Sequence, residues 1–384
     1  MEMACIDNCT GCRACEQRCM GEGIAVRQNE EGFYTAFGEQ ARCIRCNVCV
    51  GICPQRNEYV QRGLEEIYAA KAISDEKRMR SASGSAFTAL AERVIDEGGF
   101  VFGAAYTEGM KVEIICVHSW EGLQMLQGAK YVQSDTSSSY RECRSLLEQG
   151  KKVLYSGLPC QIAGLKAFLG REFDKLITVD LVCHGVPSPR LHEKYINNLG
   201  AKMRGRIMGY NSRDKQTRGG GFGISVSTQT TTKRINCFFD PYYMAYIDEK
   251  VFMEACYECK YARRERVSDI TLGDFRGASS LYKNLYDKKG VSMIMLNTQK
   301  GKALFEKAKK FMEIEPSDFE RAAQFNESLI HCAHRPPERN TVYAQINVLS
   351  DEEFIKSLGY KVGVKELIRA YTPFKPEKKF IRGK

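Results

Sequence analysis

The 384-residue sequence has no apolar run that approaches the ~18 residues of a membrane-spanning helix, so no span is expected. No basic segment followed by an apolar one opens the chain, so no secretory signal is expected and the expected compartment is the cytoplasm. There is no G-x-x-x-x-G-K-S/T phosphate loop and no G-x-G-x-x-G dinucleotide fingerprint. Helix-turn-helix signatures, RNP-type aromatic motifs and a domain-wide basic stripe are also missing, which argues against a nucleic-acid partner. Low-complexity tracts and coiled-coil heptads are absent too. Acidic residues are outnumbered, 47 to 57 basic, for a net charge of +10. That excess is scattered, with short clusters at Lys260–Arg266 and Lys375–Lys384. It reads as a solvated surface, with a docking face for an acidic redox partner as the alternative.

What remains is an ordinary globular composition, 43% hydrophobic and 27% charged, with one outlier. The chain has 17 cysteines, and nine of them fall in the first 53 residues. In a reducing compartment such cysteines are metal ligands or catalytic groups rather than disulfides. At ~150 residues per domain the length predicts two or three domains.

Residues 1–58 form a cysteine-rich unit, and 59–80 read as a charged connector with some helical character. From residue 81 strand-like and helix-like segments alternate. Strands are expected at Gly99–Tyr106, Val112–Val117, Lys152–Tyr155 and Leu176–Val182, and helices at Ala86–Asp96, Ser139–Gln149 and Gln161–Phe168. After Pro187 and Pro189 further strands are expected at Arg206–Tyr210, Gly223–Ser227, Asp269–Leu272 and Val291–Asn297, with a helical tail. The alternation predicts an α/β or α+β layer architecture. Gly219–Gly221 reads as a loop.

The N-terminal spacing is Cys9-x2-Cys12-x2-Cys15-x3-Cys19, repeated as Cys43-x2-Cys46-x2-Cys49-x3-Cys53-Pro54. This duplicated run is the bacterial two-cluster ferredoxin signature. Three thiolates on a tight loop reach one 4Fe-4S cubane, and the fourth points to the other cluster. Cluster one is therefore assigned to Cys9, Cys12, Cys15 and Cys53, and cluster two to Cys43, Cys46, Cys49 and Cys19. Structural zinc sites space two close pairs well apart; four cysteines within eleven residues, twice, favour iron–sulfur. Cys5 is left over as a spare thiol.

Cys160 stands at a strand-to-helix turn, Cys183 at a strand end next to His184, and Cys256-x2-Cys259 precedes Lys260. Each is either a lone structural thiol or a redox thiol, and together the four suffice for a third cubane. His184 is read as a hydrogen-bonding partner near a sulfur, or as a catalytic proton donor. His331 and His334 flank Cys332 in what reads as a late polar turn. Ser81 to Ser85 feed the Ala86 helix, either as a plain N-cap or as an anion site.

Taken in order, the cysteine pair of runs, Arg80 to Leu90, Gly128-Ala129-Lys130-Tyr131-Val132-Gln133-Ser134, Gly157-Leu158-Pro159-Cys160-Gln161, Cys183-His184-Gly185-Val186-Pro187-Ser188, and Cys256-x2-Cys259 leading into Gly273-Asp274-Phe275 resemble one family. It is the coenzyme F420 hydrogenase/dehydrogenase beta subunit family, in the form fused to an N-terminal ferredoxin. The resemblance implies an α/β (α+β) fold: a ferredoxin domain at 1–58, a linker at 59–80, an FAD-binding domain at 81–189 and a C-terminal domain at 190–384, the body having a mixed sheet. It implies Cys160, Cys183, Cys256 and Cys259 as ligands of a third 4Fe-4S cluster. It implies FAD held by Ser83, Gly84, Ser85, Lys130, Tyr131, Gln133 and Ser134. The family's Ser-Gly-Gly appears here as Ser83-Gly84-Ser85, and its Gly-Asp-Phe-Trp ends in Arg276.

The function so implied is that of an oxidoreductase. It would pass electrons between ferredoxin-type clusters, FAD and a two-electron small-molecule acceptor or donor, coenzyme F420 or another. Ferredoxin or another redox protein is the expected partner. The alternative is an electron-transfer subunit of a larger hydrogenase or dehydrogenase complex, with the substrate site on a partner subunit. An iron–sulfur protein without turnover is the third reading, and it predicts no flavin.

Overall fold

A computed structural model describes residues 8–59, 64–216, 223–359 and 363–364. Cys5, Gly219–Gly221 and the basic segment Lys375–Lys384 lie outside the described residues.

The N-terminal module contains helix α1 (Ala14–Arg18), strands β1 (Ile24–Gln28) and β2 (Tyr34–Gly38), and helix α2 (Val48–Gly51). The strands pair as an antiparallel hairpin in the register Ile24 to Gly38. Ile24, Val26 and Ala36 form a small core, and Cys9, Cys15, Cys19 and Cys49 pack against it. So small a core is typical of units stabilised by metal.

The chain then enters the main sheet. Strand β3 (Glu66–Ala72) and helix α3 (Asp75–Arg80) occupy most of the expected connector. The connector reading is corrected here: β3 lies between two other strands and its Ile67, Ala69, Ala70 and Ala72 are buried. Its charged ends and Lys71 concealed the strand, but Lys71 is neutralised by Glu313 and Asp287.

Next come helix α4 (Ala86–Asp96), strands β4 (Phe100–Tyr106) and β5 (Val112–Val117), helices α5 (Trp120–Leu126) and α6 (Ser139–Glu148), strand β6 (Val153–Gly157), helix α7 (Pro159–Leu169) and strand β7 (Leu176–Leu181). Each expected element of this stretch is present, within two residues at either end. A lobe follows: helix α8 (Pro189–Met203), strands β8 (Gly209–Asp214), β9 (Gly223–Ser227) and β10 (Thr232–Asn236), and helices α9 (Pro241–Ile247) and α10 (Glu254–Tyr257). Strand β8 starts later than expected. Strands β11 (Ile270–Asp274), β12 (Ser292–Leu296) and β13 (Met312–Ser317) return to the main sheet.

That sheet has eight strands in the order β13-β3-β12-β11-β7-β6-β4-β5. The central strands β11, β7, β6 and β4 pair in parallel, and the flanks are antiparallel. The inner strands β6 and β12 are buried along their whole length, as expected of strands covered on both faces. Helix α4 and the helix Gln299–Ala308 cover one face. Helices α6 and α7 cover the other, joined there by Cys12 and Ala14 of the N-terminal module. The body is therefore mixed α/β. The expected boundary at 189/190 does not separate two sheets, because β11, β12 and β13 complete the sheet begun by β3 to β7.

Candidate functional site

Ligands of parallel sheets gather at the carboxyl ends of the strands. Here β6 ends at Gly157, just before Cys160, and β7 ends at Leu181, just before Cys183. Strand β11 ends at Asp274. Strand β3 runs parallel to β11 through two antiparallel steps, so the Ser81–Ser85 turn reaches the same edge.

Each cysteine is held by identifiable backbone devices. Pro159 begins α7, and the Gln161 side chain accepts from the Leu158 amide at 3.0 Å while donating to the Ser134 carbonyl at 3.1 Å. This pins the first turn, where Cys160 sits. After β7 the chain turns over Phe252 at Gly185, whose φ of 135° and contact with that ring leave no room for a Cβ. The Val186 carbonyl accepts from Met253, drawing the Cys183 loop onto the segment that carries Cys256 and Cys259.

The four body thiols lie within electrostatic reach of one another. Burial pushes the Cys160 thiol well up, with Cys183, Cys259 and Cys256 adding to the rise. Burial likewise raises Cys183 to about 12, with Cys259 adding to it. Backbone amides point back at the sulfurs: Gly185 towards Cys183, Val186 towards Cys256, and Tyr261 and Ala262 towards Cys259. Mutually repelling thiolates that accept amide hydrogen bonds fit an iron–sulfur cluster, whose iron takes up the negative charge.

The N-terminal runs have a shared backbone. Gly11 and Arg45, each before the second cysteine of its run, have φ of 66° and 58°. Arg13 and Asn47, each after it, have φ of 60° and 57° and begin α1 and α2. Left-handed residues at matching places wrap each loop around its sulfurs. Burial, then Cys9 and Cys53, raises Cys12 to about 12. Cys53 thus lies within electrostatic reach of Cys12. The Gly23 amide donates to the Cys19 sulfur at 3.2 Å, and Gly23 also packs on Cys43. Among the described residues no three His, Cys, Asp or Glu side chains converge as a single metal ion would need.

The module docks through a dense polar seam. Gln133 donates to the carbonyls of Thr10 and Tyr34 at 3.2 and 3.1 Å and accepts from the Tyr34 amide at 2.8 Å. Thr136 donates to the Cys12 carbonyl, Arg13 forks onto Asp135, and Arg339 forks onto Glu31 at 2.9 and 2.6 Å. The Ser134 hydroxyl accepts from Gln161. Gln133 and Ser134 were expected to hold flavin. In the structure both are buried and spent on this seam and on α7.

The other expected flavin residues lie elsewhere. Ser83 bonds the Val291 carbonyl at 2.9 Å. Gly84 presses on the backbones of Ala70 and Ser292, so only glycine fits. Ser85, with φ of 72°, hydrogen-bonds Ser81 rather than facing out. Lys130 donates to the carbonyls of Met125 and Gln127, and burial lowers it to about 7. Tyr131 reaches a cradle of charged groups at the strand edge, formed by Arg213, Lys215 and Asp274: its hydroxyl accepts from Arg213, which pairs with Asp274 at 2.6 Å. Lys215 donates to the carbonyls of Ser83 and Arg78 at 2.7 and 2.6 Å, and burial together with Arg213 lowers it to about 7. Burial opposes the Asp274 charge, but Arg213 and the Ser83 hydroxyl hold its pKa below the usual value. Sequence reading missed Arg213 and Lys215, which lie on or beside β8. Asp274 was in a quoted motif but had no role.

Tyr131 also packs on Tyr246, ring centres 4.5 Å apart, and Tyr246 is close enough to Cys183 for that sulfur to raise its pKa. The cradle and the body thiols are thus joined by two rings. His184 lies beside this path, 3.2 Å from Ser328 and 3.4 Å from Glu249. Cys332 donates to the Tyr257 carbonyl at 3.0 Å and raises Cys259, so it belongs to the thiol region rather than to a remote turn.

The mixed α/β body gathers cysteines at two strand ends and on a neighbouring turn. Residues 150–321 match the family described as the C terminus of the coenzyme F420 hydrogenase/dehydrogenase beta subunit. The matched segment includes Cys160, Cys183, Cys256 and Cys259. None of the curated proteins matches the chain. Among solved structures, a chain of the xenon-derivatised F420-reducing NiFe hydrogenase complex from Methanosarcina barkeri is similar, at 16% identity and a TM-score of 0.46. The match covers 75% of this chain and 94% of that one. Among the described residues no helix is long and apolar enough to cross a membrane.

Proposed function

We propose that this chain is an iron–sulfur flavoprotein oxidoreductase. It relays electrons through the N-terminal cysteine runs to the body thiols, and on to a two-electron organic carrier. One observation supports this above all. Cys12 packs against α7 at Gly164, where a Cβ would stand 2.9 Å from its sulfur, one turn beyond Cys160. Electron tunnelling falls steeply with distance, so two thiol sets sharing one helix are placed for transfer.

In this reading Cys9, Cys12, Cys15 and Cys53 hold one cluster and Cys43, Cys46, Cys49 and Cys19 another. Cys160, Cys183, Cys256 and Cys259 hold the third. The exposed Cys46 puts the second set at the outside, where a ferredoxin-like partner donates. Arg213 supplies a cation and the Tyr131 hydroxyl a donor that suit FAD, with Lys215 beside them. When bound, FAD would pair two single electrons for hydride exchange with coenzyme F420 or another small acceptor. Tyr131 and Tyr246 stand between that cradle and the body thiols.

The test is the composition of the protein purified without oxygen. About 12 iron atoms per chain are expected, with FAD released on denaturation. Cys160→Ala should keep about 8. A wild-type protein holding only about 8 iron atoms and no flavin would overturn the reading.

A further inference from the structure

Beneath the body thiols lies a fully buried ion pair that the relay does not require for ligation. The Arg266 and Asp180 side chains are 1% and 0% exposed and stand 3.3 Å apart. Arg266 donates to the Leu181 carbonyl at 3.1 Å, two residues before Cys183, and to the Tyr261 carbonyl at 3.0 Å, two residues after Cys259. Its Nε donates to Thr271 on β11. One guanidinium therefore ties together the two loops that present Cys183 and Cys259. The second oxygen of Asp180 has no hydrogen-bond partner among the described residues. A buried pair is a poor device for stability alone, since desolvation consumes most of its attraction.

We infer that Arg266, oriented by Asp180, sets the reduction potential of the cluster held by Cys160, Cys183, Cys256 and Cys259. The inference rests on the cluster reading above. Reduction adds one negative charge to a cluster. A fixed cation in the same low-dielectric interior stabilises that charge and raises the potential, whereas a fixed anion lowers it. Arg266 is a positioning residue by its hydrogen bonds and an electrostatic one by its charge.

The test uses the full-length protein loaded with iron and sulfide under anaerobic conditions. The body cluster is identified as the paramagnetic signal that Cys160→Ala removes, and its midpoint potential is read by redox titration. Asp180→Asn leaves the cation uncompensated, so the potential should rise. Adding Arg266→Met to it should bring the potential back down to or below the wild-type value. Asp180→Asn combined with Arg266→Lys, which keeps the charge, should stay at the raised potential of Asp180→Asn. Equal potentials in Asp180→Asn and the double variant with Arg266→Met, at full iron content, would overturn the inference. So would variants that lose cluster while the remaining population titrates as wild type. If Cys160→Ala removes no signal, the cluster reading itself fails, an outcome distinct from these.

Discussion

Gly11 is a residue whose chemistry lies in what it lacks. Its φ is 66° and a Cβ there would collide with the Tyr34 carbonyl. Arg45 occupies the same place in the second run, with φ of 58°, but it is exposed and its side chain has room. Gly11→Ala should therefore cost about 1–3 kcal/mol and lower iron content, whereas Arg45→Gly should change stability by less than about 1 kcal/mol. Thermal melts and iron assays of the two variants check this; equal effects would contradict it. The repeat was legible because it is written in contiguous residues. That one copy requires glycine and the other does not depends on what packs above each loop.

At the scale of an element, α9 shows how a buried cap couples folding to pH. Asp240 caps it, accepting from the Tyr243 amide and the Tyr195 hydroxyl, each at 2.7 Å. Burial raises its pKa from 3.8 to about 6, only partly offset by those donors. A raised carboxyl favours the folded state most below pH 3.8, and that contribution is lost as pH rises through about 6. Asp240→Asn keeps an acceptor and removes the charge. The variant should gain on wild type from pH 5 to pH 7.5, by about 1–1.5 kcal/mol. Melting curves at both values read the difference, and a constant difference would refute it. Elements such as α4, β5 and β9 were legible from apolar patterning. Strand β3 was not, because its burial depends on β12 and β13, strands more than 200 residues away in the chain.

Across the whole molecule, the contact between α7 and the N-terminal module brings Cys12 to the helix that carries Cys160. In Gly164→Ala the new methyl meets the Tyr140 hydroxyl at 2.8 Å and Cys12 at 2.9 Å, so the seam must open slightly. We expect unchanged iron content, a stability loss of about 1–3 kcal/mol, and slower reduction of the body cluster by electrons entering at the module. Rapid-mixing kinetics with a one-electron donor measure this, and an unchanged rate would sink the idea that this contact carries transfer.

The sequence by itself determined the cysteine runs and the likeness of residues 150–321 to the beta-subunit family, because the runs are local and their spacing is a chain property. It also placed Cys160 and Cys183 at strand ends. Only the tertiary structure decided what surrounds them. Arg213 and Lys215 on or beside β8, Asp274 on β11 and Ser83 after β3 meet because the three-stranded sheet of the lobe packs its β8 end against one edge of the main sheet. Gln133 turned from an expected flavin ligand into a clamp for the same reason: a side chain's role follows from which donors and acceptors burial leaves it, and burial is set by the whole fold.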